Sequence, residues 1–166
     1  VDYRKQDYRD VAGQYDAIVS VEMVEALGRE YWPAFMGCVA GNLKPGGIAA
    51  LQYISMADDI FEAYAGSVDF IQAYIFPGGL LIRTSEFRRL AEQHGLAWRD
   101  QEDFGEDYAT TLCEWRERFD VAVDDGRLPA GFDDRFVRLW RFYLTYCEAG
   151  FRAGNINVHQ VSLVKT

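Results

Sequence analysis

Along the chain, short β-branched runs alternate with stretches in which apolar residues recur every three or four positions. Asp16-Ala17-Ile18-Val19-Ser20-Val21 is a short apolar run suited to a strand buried on both faces, and Ile48 to Ile54 is a second. Between them Tyr31, Phe35, Cys38, Val39 and Leu43 recur at helical spacing, and Lys44-Pro45-Gly46-Gly47 breaks the helix before the next strand. These segments predict a β-α-β unit with a right-handed crossover. In an open parallel sheet, ligands sit beyond the carboxyl ends of the strands. Positions just after Val21 and around Gln52 therefore face the expected site, and Glu22 and Glu25 are the first carboxylates there.

On either side the pattern stays α/β. Val1 to Tyr8 reads as the end of a strand and Arg9 to Gln14 as a loop, so the chain opens in the middle of such a pattern. Met56 to Ala65 and Ser67 to Phe76 read as short helical segments closed by Pro77-Gly78-Gly79. Together they make a lid-like insertion, about 56–82, at the carboxyl end of a strand. Thr84 or Ser85 is expected to cap a helix reaching His94, with Gly95 as its stop, and Leu96 to Phe104 reads as a strand. Tyr108 to Asp124 is helical in spacing, Asp125-Gly126-Arg127-Leu128-Pro129 breaks it, and Asp133 or Asp134 starts a helix reaching about Arg152. Alternation from Ile156 to Leu163 gives a closing strand.

Composition narrows the function classes. With 166 residues, 49% of them hydrophobic, the chain can bury one core, and its length favours one domain. No apolar run reaches the roughly 18 residues of a membrane span, and the start Val1-Asp2-Tyr3-Arg4-Lys5 is too polar for a signal peptide, which points to a cytoplasmic protein. A net charge of −9 argues against broad nucleic-acid binding, which needs a basic footprint. Cys38, Cys113 and Cys147 are far apart in apolar helical settings and read as reduced core thiols. His94 and His159 lack carboxylate or cysteine partners in sequence, so no metal site is expected and both read as structural or exposed. On pattern alone Glu25 reads equally as a first-turn helix carboxylate, Tyr108 as a helix-start aromatic and Gln52 as a satisfied polar residue at a strand end.

The set EMVEALG, LKPGG, LQYIS, DFIQAYIFPGG, YATTLCEWRERF and YLTYCEAGFRAGNINVHQVSLVK resembles the cyclopropane-fatty-acyl-phospholipid synthases and their mycolic-acid and methyl-branching relatives. These are S-adenosylmethionine-dependent methyltransferases, and the likeness covers nearly the whole chain in the family's order. It implies the Rossmann-like class I methyltransferase fold, with residues 1–166 as the C-terminal portion of a single methyltransferase domain. The family's N-terminal strands and glycine-rich cofactor loop are expected upstream, since no GxGxxG or GxGxG occurs here. By the resemblance Gln6, Asp7 and Tyr8 match the segment beside the cofactor's adenine, and Ser20, Val21 and Glu22 lie near its other edge.

The reaction implied is methyl transfer to the double bond of an unsaturated phospholipid acyl chain. This gives a carbocation, whose loss of a proton closes a cyclopropane ring. In the family bicarbonate is the base, held by a glutamate, a tyrosine, a histidine and backbone groups. Glu25 matches the glutamate, Tyr108 the tyrosine and Ile54 a backbone position. Two departures stand out: Gln52 occupies the place where bacterial synthases commonly have histidine, and Glu22 the place where they often have glycine. A second carboxylate so close repels an anion unless it points elsewhere or is protonated. The resemblance also admits a methylene- or methyl-branching enzyme, a small-molecule N-methyltransferase, or a non-catalytic lipid-binding module.

Tyr53, Phe70, Tyr74, Phe76, Trp115, Trp140, Phe142 and Tyr143 are candidates for lining an acyl tunnel, or simply core. Arg135, Arg138 and Arg141 suit contact with a lipid headgroup at a membrane periphery or with an acidic carrier protein, or a solvated basic stripe. With the first strands upstream, Asp16 to Val21 is expected to expose an unpaired edge, met by a companion N-terminal fragment or a second copy in a homo-oligomer. The isolated stretch is expected to transfer little methyl group.

Overall fold

A computed structural model describes all residues, 1–166. Its four-stranded sheet has the order β1-β2-β4-β3, built from β1 (Tyr15–Val21), β2 (Leu43–Met56), β3 (Leu96–Asp103) and β4 (Ile156–Lys165). β1 and β2 are parallel, with Val19 opposite Ala50 and Val21 opposite Gln52. β3 and β4 are antiparallel. The chain divides into two compact units, residues 1–103 with 158–166, and residues 104–157.

In the first unit the expected β-α-β arrangement is present, with α1 (Trp32–Asn42) as the crossover helix. Pro33 stands in its first turn, where the missing N–H costs nothing. Trp32, Phe35, Met36 and Val39 are buried. At the far end Lys165 Nζ donates to Ala40 O (2.6 Å) and Leu43 O (2.7 Å), placing a cation on carbonyls that the helix leaves unpaired. Lys44 to Gly47, expected as a turn ahead of the strand, instead falls inside β2 as an irregularity: the partner of Tyr15 is Leu43, but that of Ala17 is Ile48. Gly47 is needed there, because a Cβ would meet Lys44 O at 2.9 Å.

Three further expectations are corrected. Residues Val1 to Asp7 form no strand, and Tyr8–Asp10 is a single 3-10 turn capped by Asp7. Asp7 accepts from the Arg9 amide at 2.9 Å, and this local bond competes with extended pairing. The run Asp16 to Val21 is a strand but is not buried on both faces: Ile18 and Ser20 are partly buried, whereas Val19 is 72% and Val21 60% exposed on the face that nothing covers, and β1 is also the sheet's edge strand. Thr84 does not cap α4 (Thr84–Gln93) but begins it; Arg83 holds the cap position with no side-chain bond, and the Tyr53 hydroxyl donates to Thr84 Oγ1 at 3.3 Å. Gly95 stops the helix as expected, with φ +72.

The insertion contains α2 (Phe61–Ala65) and α3 (Phe70–Tyr74), the latter opened by a reciprocal Asp69–Gln72 capping box. The chain then returns along β2, where Met56 N donates to Ile82 O (3.0 Å) and Ile82 N to Ile54 O (3.1 Å). The core on the other face of β2 is aromatic. The Phe87 ring lies 5.4 Å from Tyr53, 6.1 Å from Trp32 and from Phe35, and 6.5 Å from Trp98, centroid to centroid. Tyr53 is fully buried there, which makes it core rather than tunnel lining.

The second unit is a helical hairpin of α5 (Gly105–Asp124) and α6 (Asp134–Arg152). Asp133 caps α6 through the Phe136 amide (2.8 Å). Pairings of Phe119 with Phe136, Arg116 with Glu148 and Tyr108 with Phe151 run in opposite senses along the two helices, so they are antiparallel. No helix is long and apolar enough to cross a membrane. Because Phe87 joins four other rings, Phe87→Ala is expected to cost about 3–5 kcal/mol, read as a lower urea midpoint at unchanged slope.

Candidate active site at the carboxyl ends of β1 and β2

Alternation along β2 sends Leu51, Tyr53 and Ser55 into the core and Gln52 and Ile54 to the opposite face. The chain leaving β1 crosses that second face. Glu22 N still donates to Gln52 O (2.9 Å), extending the ladder by one residue, and Glu22 then adopts φ +48. A left-handed backbone is uncommon for a residue with a Cβ and costs of the order of 1 kcal/mol or more. The turn projects the Glu22 side chain onto Gln52, whose Nε2 donates to Glu22 Oε1 at 2.7 Å. Gln52 Oε1 in turn accepts from Gln160 Nε2 of β4 at 2.8 Å. This bond fixes the amide's orientation. The two departures from the resembled pattern are thus a single contact, and the left-handed turn explains why glycine suits the position of Glu22.

Three residues further on, Glu25 sits in the 3-10 turn Val24–Ala26. Its carboxylate reaches across to β2. Glu25 Oε1 accepts from the Ile54 amide at 2.6 Å, and Oε2 is buried without a partner. The Glu25 main chain is clamped as well, its carbonyl accepting from Leu80 N at 2.8 Å after the insertion. Burial pushes the Glu25 carboxyl up to about 7; the Ile54 amide opposes the shift and the Glu22 charge adds to it. Beside this turn an open cleft of about 680 Å3 is lined by Arg29, Glu62, Val68, Gln72, Gly79 and Leu80.

Glu22, Glu25, Gln52 and Ile54 are therefore brought together. Tyr108 belongs to the second unit, on α5, with its ring 5.1 Å from Phe151 and 6.3 Å from Trp115. The adenine-side segment runs along α1. Tyr8 packs edge-on against Phe35 (5.9 Å) with its hydroxyl buried and unpartnered, and Cys38 Sγ donates to Tyr8 O at 3.1 Å. Gln6 Nε2 donates to Asp10 O at 2.8 Å. Asp7 is held ionised by its hydrogen bonds from the Arg9 guanidinium and amide, with a pKa of about 2. The Arg9 guanidinium lies 6.0 Å from the Tyr31 ring, which puts this turn at the end of α1 nearest the carboxyl ends of the strands. Ser20 Oγ is buried on the inner side of β1 with no partner, and Val21 is exposed.

His159 was expected to be structural or exposed, and it is buried within a chain of polar groups. Its Nδ1 meets Asp103 Oδ1 at 2.6 Å, and its Nε2 meets Ser55 Oγ at 2.7 Å. An ionised Asp103 only accepts, so Nδ1 donates to it, and with that tautomer Nε2 accepts from the Ser55 hydroxyl. A bulge in β3 between Arg99 and Glu102 sets Asp103 opposite His159. Ser55 is 5% exposed on the core face, and this chain of groups pins three strands.

Comparison with known proteins agrees with this architecture. The family described as mycolic acid cyclopropane synthetase matches residues 1–161. The chain belongs to that family. It is 45% identical over 160 residues to the tuberculostearic acid methyltransferase UfaA1 of Mycobacterium tuberculosis, covering 96% of this chain and 37% of that protein. It is 39% identical over 158 residues to the cyclopropane-fatty-acyl-phospholipid synthase of Escherichia coli, covering 94% and 39%. Among solved structures, the mycolic acid cyclopropane synthase CmaA1 complexed with SAH and CTAB superposes with a TM-score of 0.84 at 26% identity, over 95% of this chain and 58% of that one. The fold is that of the class I S-adenosylmethionine-dependent methyltransferases. The chain thus spans under two-fifths of the length of these two curated relatives.

Bicarbonate, implied by the resemblance, requires free donors. Here the Ile54 amide is engaged by Glu25 and the Gln52 amide donates to Glu22, so two carboxylates occupy the donors on which an anion would rest. The donor set of this unit does not fit the ion.

The raised Glu25 pKa carries a stability consequence. Below about pH 4.5 the group is protonated folded or unfolded; between there and about 7 only the unfolded chain ionises freely, and stability falls as pH rises. Glu25→Gln removes that penalty. Its urea stability relative to the parent is expected to improve by up to about 3 kcal/mol from about pH 4.5 to pH 8.

Proposed function

We propose that the whole protein transfers the methyl group of S-adenosylmethionine to the double bond of an unsaturated phospholipid acyl chain and forms a cyclopropane ring through a carbocation. The observation that carries this reading is Glu25, a buried carboxylate with one oxygen unpartnered at the carboxyl ends of a parallel strand pair, in a chain of this family. An alkene has no proton to lose before it attacks a sulfonium methyl, so a base serves only afterwards. A group at this position withdraws a proton from the cation. When bound, S-adenosylmethionine supplies the electrophilic methyl. Gln6, Asp7 and Tyr8 hold its adenine side, the ionised Asp7 accepting from the exocyclic amine, and Ser20, Val21 and Glu22 border its other edge; the unpartnered Ser20 hydroxyl supports this. Tyr108 is the tyrosine that the family's pattern assigns to the same step.

Residues 56–82 act as a cover over the acyl chain, whose apolar surroundings protect the cation from water. Tyr74 and Phe76 of that insertion are exposed and suit contact with lipid at a membrane surface. A methylene- or methyl-branched product is the second reading, favoured by the 45% identity to a tuberculostearic acid methyltransferase and by Gln52 and Glu22. Turnover needs a glycine-rich cofactor loop that these 166 residues do not supply. The outer edge of β1, with Val19 and Val21 exposed, is where further chain or a second copy pairs.

Two measurements test the proposal. The whole protein is given S-adenosylmethionine with a trideuterated methyl and cis-unsaturated phospholipid, and the fatty-acid methyl esters are weighed. Two retained deuteriums are expected, one deuteron having left the new carbon; three remove ring or methylene formation by loss from the added methyl, and no lipid product removes the methyl-transfer reading. Light scattering of residues 1–166 alone is expected to show association, and a clean monomer refutes pairing along β1.

A further inference from the structure

We infer that Glu25 is itself the proton acceptor of the reaction, in place of an external anion, and that Glu22 is the positioning residue that makes the site exclude such an anion. This rests on the methyl-transfer reading above. The Ile54 amide, a fixed donor at the carboxyl end of β2, already holds a carboxylate oxygen, Glu25 Oε1 at 2.6 Å. The second oxygen of that carboxylate, Oε2, is buried and has no partner, which leaves a lone pair available. Glu22 reaches Gln52 through a left-handed backbone, and Gln160 fixes the other end of the same amide. A bicarbonate entering here loses its two donors and faces two carboxylates; the carboxylate already in place needs neither to move. Burial also raises the basicity of Glu25 well above that of a solvated carboxylate.

The step balances without a further reactant. The π pair of the alkene forms the new carbon–carbon bond as the carbon–sulfur bond breaks, its pair staying on sulfur and leaving S-adenosylhomocysteine. Glu25 Oε2 then takes a proton from the added methyl. The released C–H pair closes the ring onto the cationic carbon, or forms the exocyclic double bond of a methylene product. Glu25 returns its proton to solvent before the next cycle.

The test assays the whole protein with S-adenosylmethionine and cis-unsaturated phospholipid vesicles, in buffer stripped of carbon dioxide and in the same buffer with added bicarbonate. Turnover is expected to differ less than about two-fold between them. Glu25→Gln is expected to lose at least about 100-fold in both, while its binding of S-adenosylmethionine is retained. Turnover that collapses on depletion and returns with bicarbonate overturns the inference while leaving methyl transfer intact, as does rescue of Glu25→Gln by bicarbonate. Absence of lipid product from the parent under both conditions instead removes the methyl-transfer reading and this inference with it. Glu22→Gly, which suits the backbone at that position, frees the Gln52 amide; added bicarbonate is expected to restore turnover in part to Glu22→Gly combined with Glu25→Gln but not to Glu25→Gln alone, and indifference of the double variant to the ion removes the excluding role of Glu22.

Discussion

The parallel pairing of β1 with β2 is the constraint on which the rest of the site depends. It sets Val21 opposite Gln52, so the chain leaving one strand must cross the exposed face of the other. Everything chemically interesting follows within four residues: the ladder runs one residue further through Glu22, the backbone turns left-handed, and Glu25 drops onto the Ile54 amide. A backbone N–H at a strand end does not adjust its direction as a side chain does, so the carboxylate it holds is placed with little orientational freedom.

The two faces of β2 divide the work. On one, Leu51, Tyr53 and Ser55 belong to an aromatic core and to the Ser55–His159–Asp103 chain, buried at Ser55 and His159, that ties β2, β4 and β3. On the other, Gln52 and Ile54 present their polar groups to Glu22 and Glu25. Rigid packing beneath and polar groups above are separated by one residue of strand alternation. The groups most suggestive of a catalytic relay by identity, Ser, His and Asp, lie on the core side, and the acidic groups lie on the open one.

Much of the fold was legible in the residues. The β-α-β pattern, the two short helices after β2, the two long helices and the closing strand all follow from periodicity and from Gly, Pro and Asp punctuation, because those signals are local. The misreadings came where a neighbour decides. Asp7 drew its own segment into a capped turn by bonding Arg9, and Lys44 to Gly47 was absorbed into β2 because β1 continues to pair on either side of it. His159 carried no sequence signal of its partners, since Ser55 lies 104 positions away.

The sequence by itself determined the family, the order of elements and the identity of the acidic and amide residues at the site, since residue type and local spacing carry that information. Only the tertiary structure decided that Glu22 and Gln52 are one contact and that the Glu25 carboxylate accepts from the Ile54 amide. It likewise decided that Oε2 is left buried and unpartnered. Hydrogen bonds between residues about thirty positions apart depend on strand register and on a single left-handed φ, and neither is written in the periodicity of a chain.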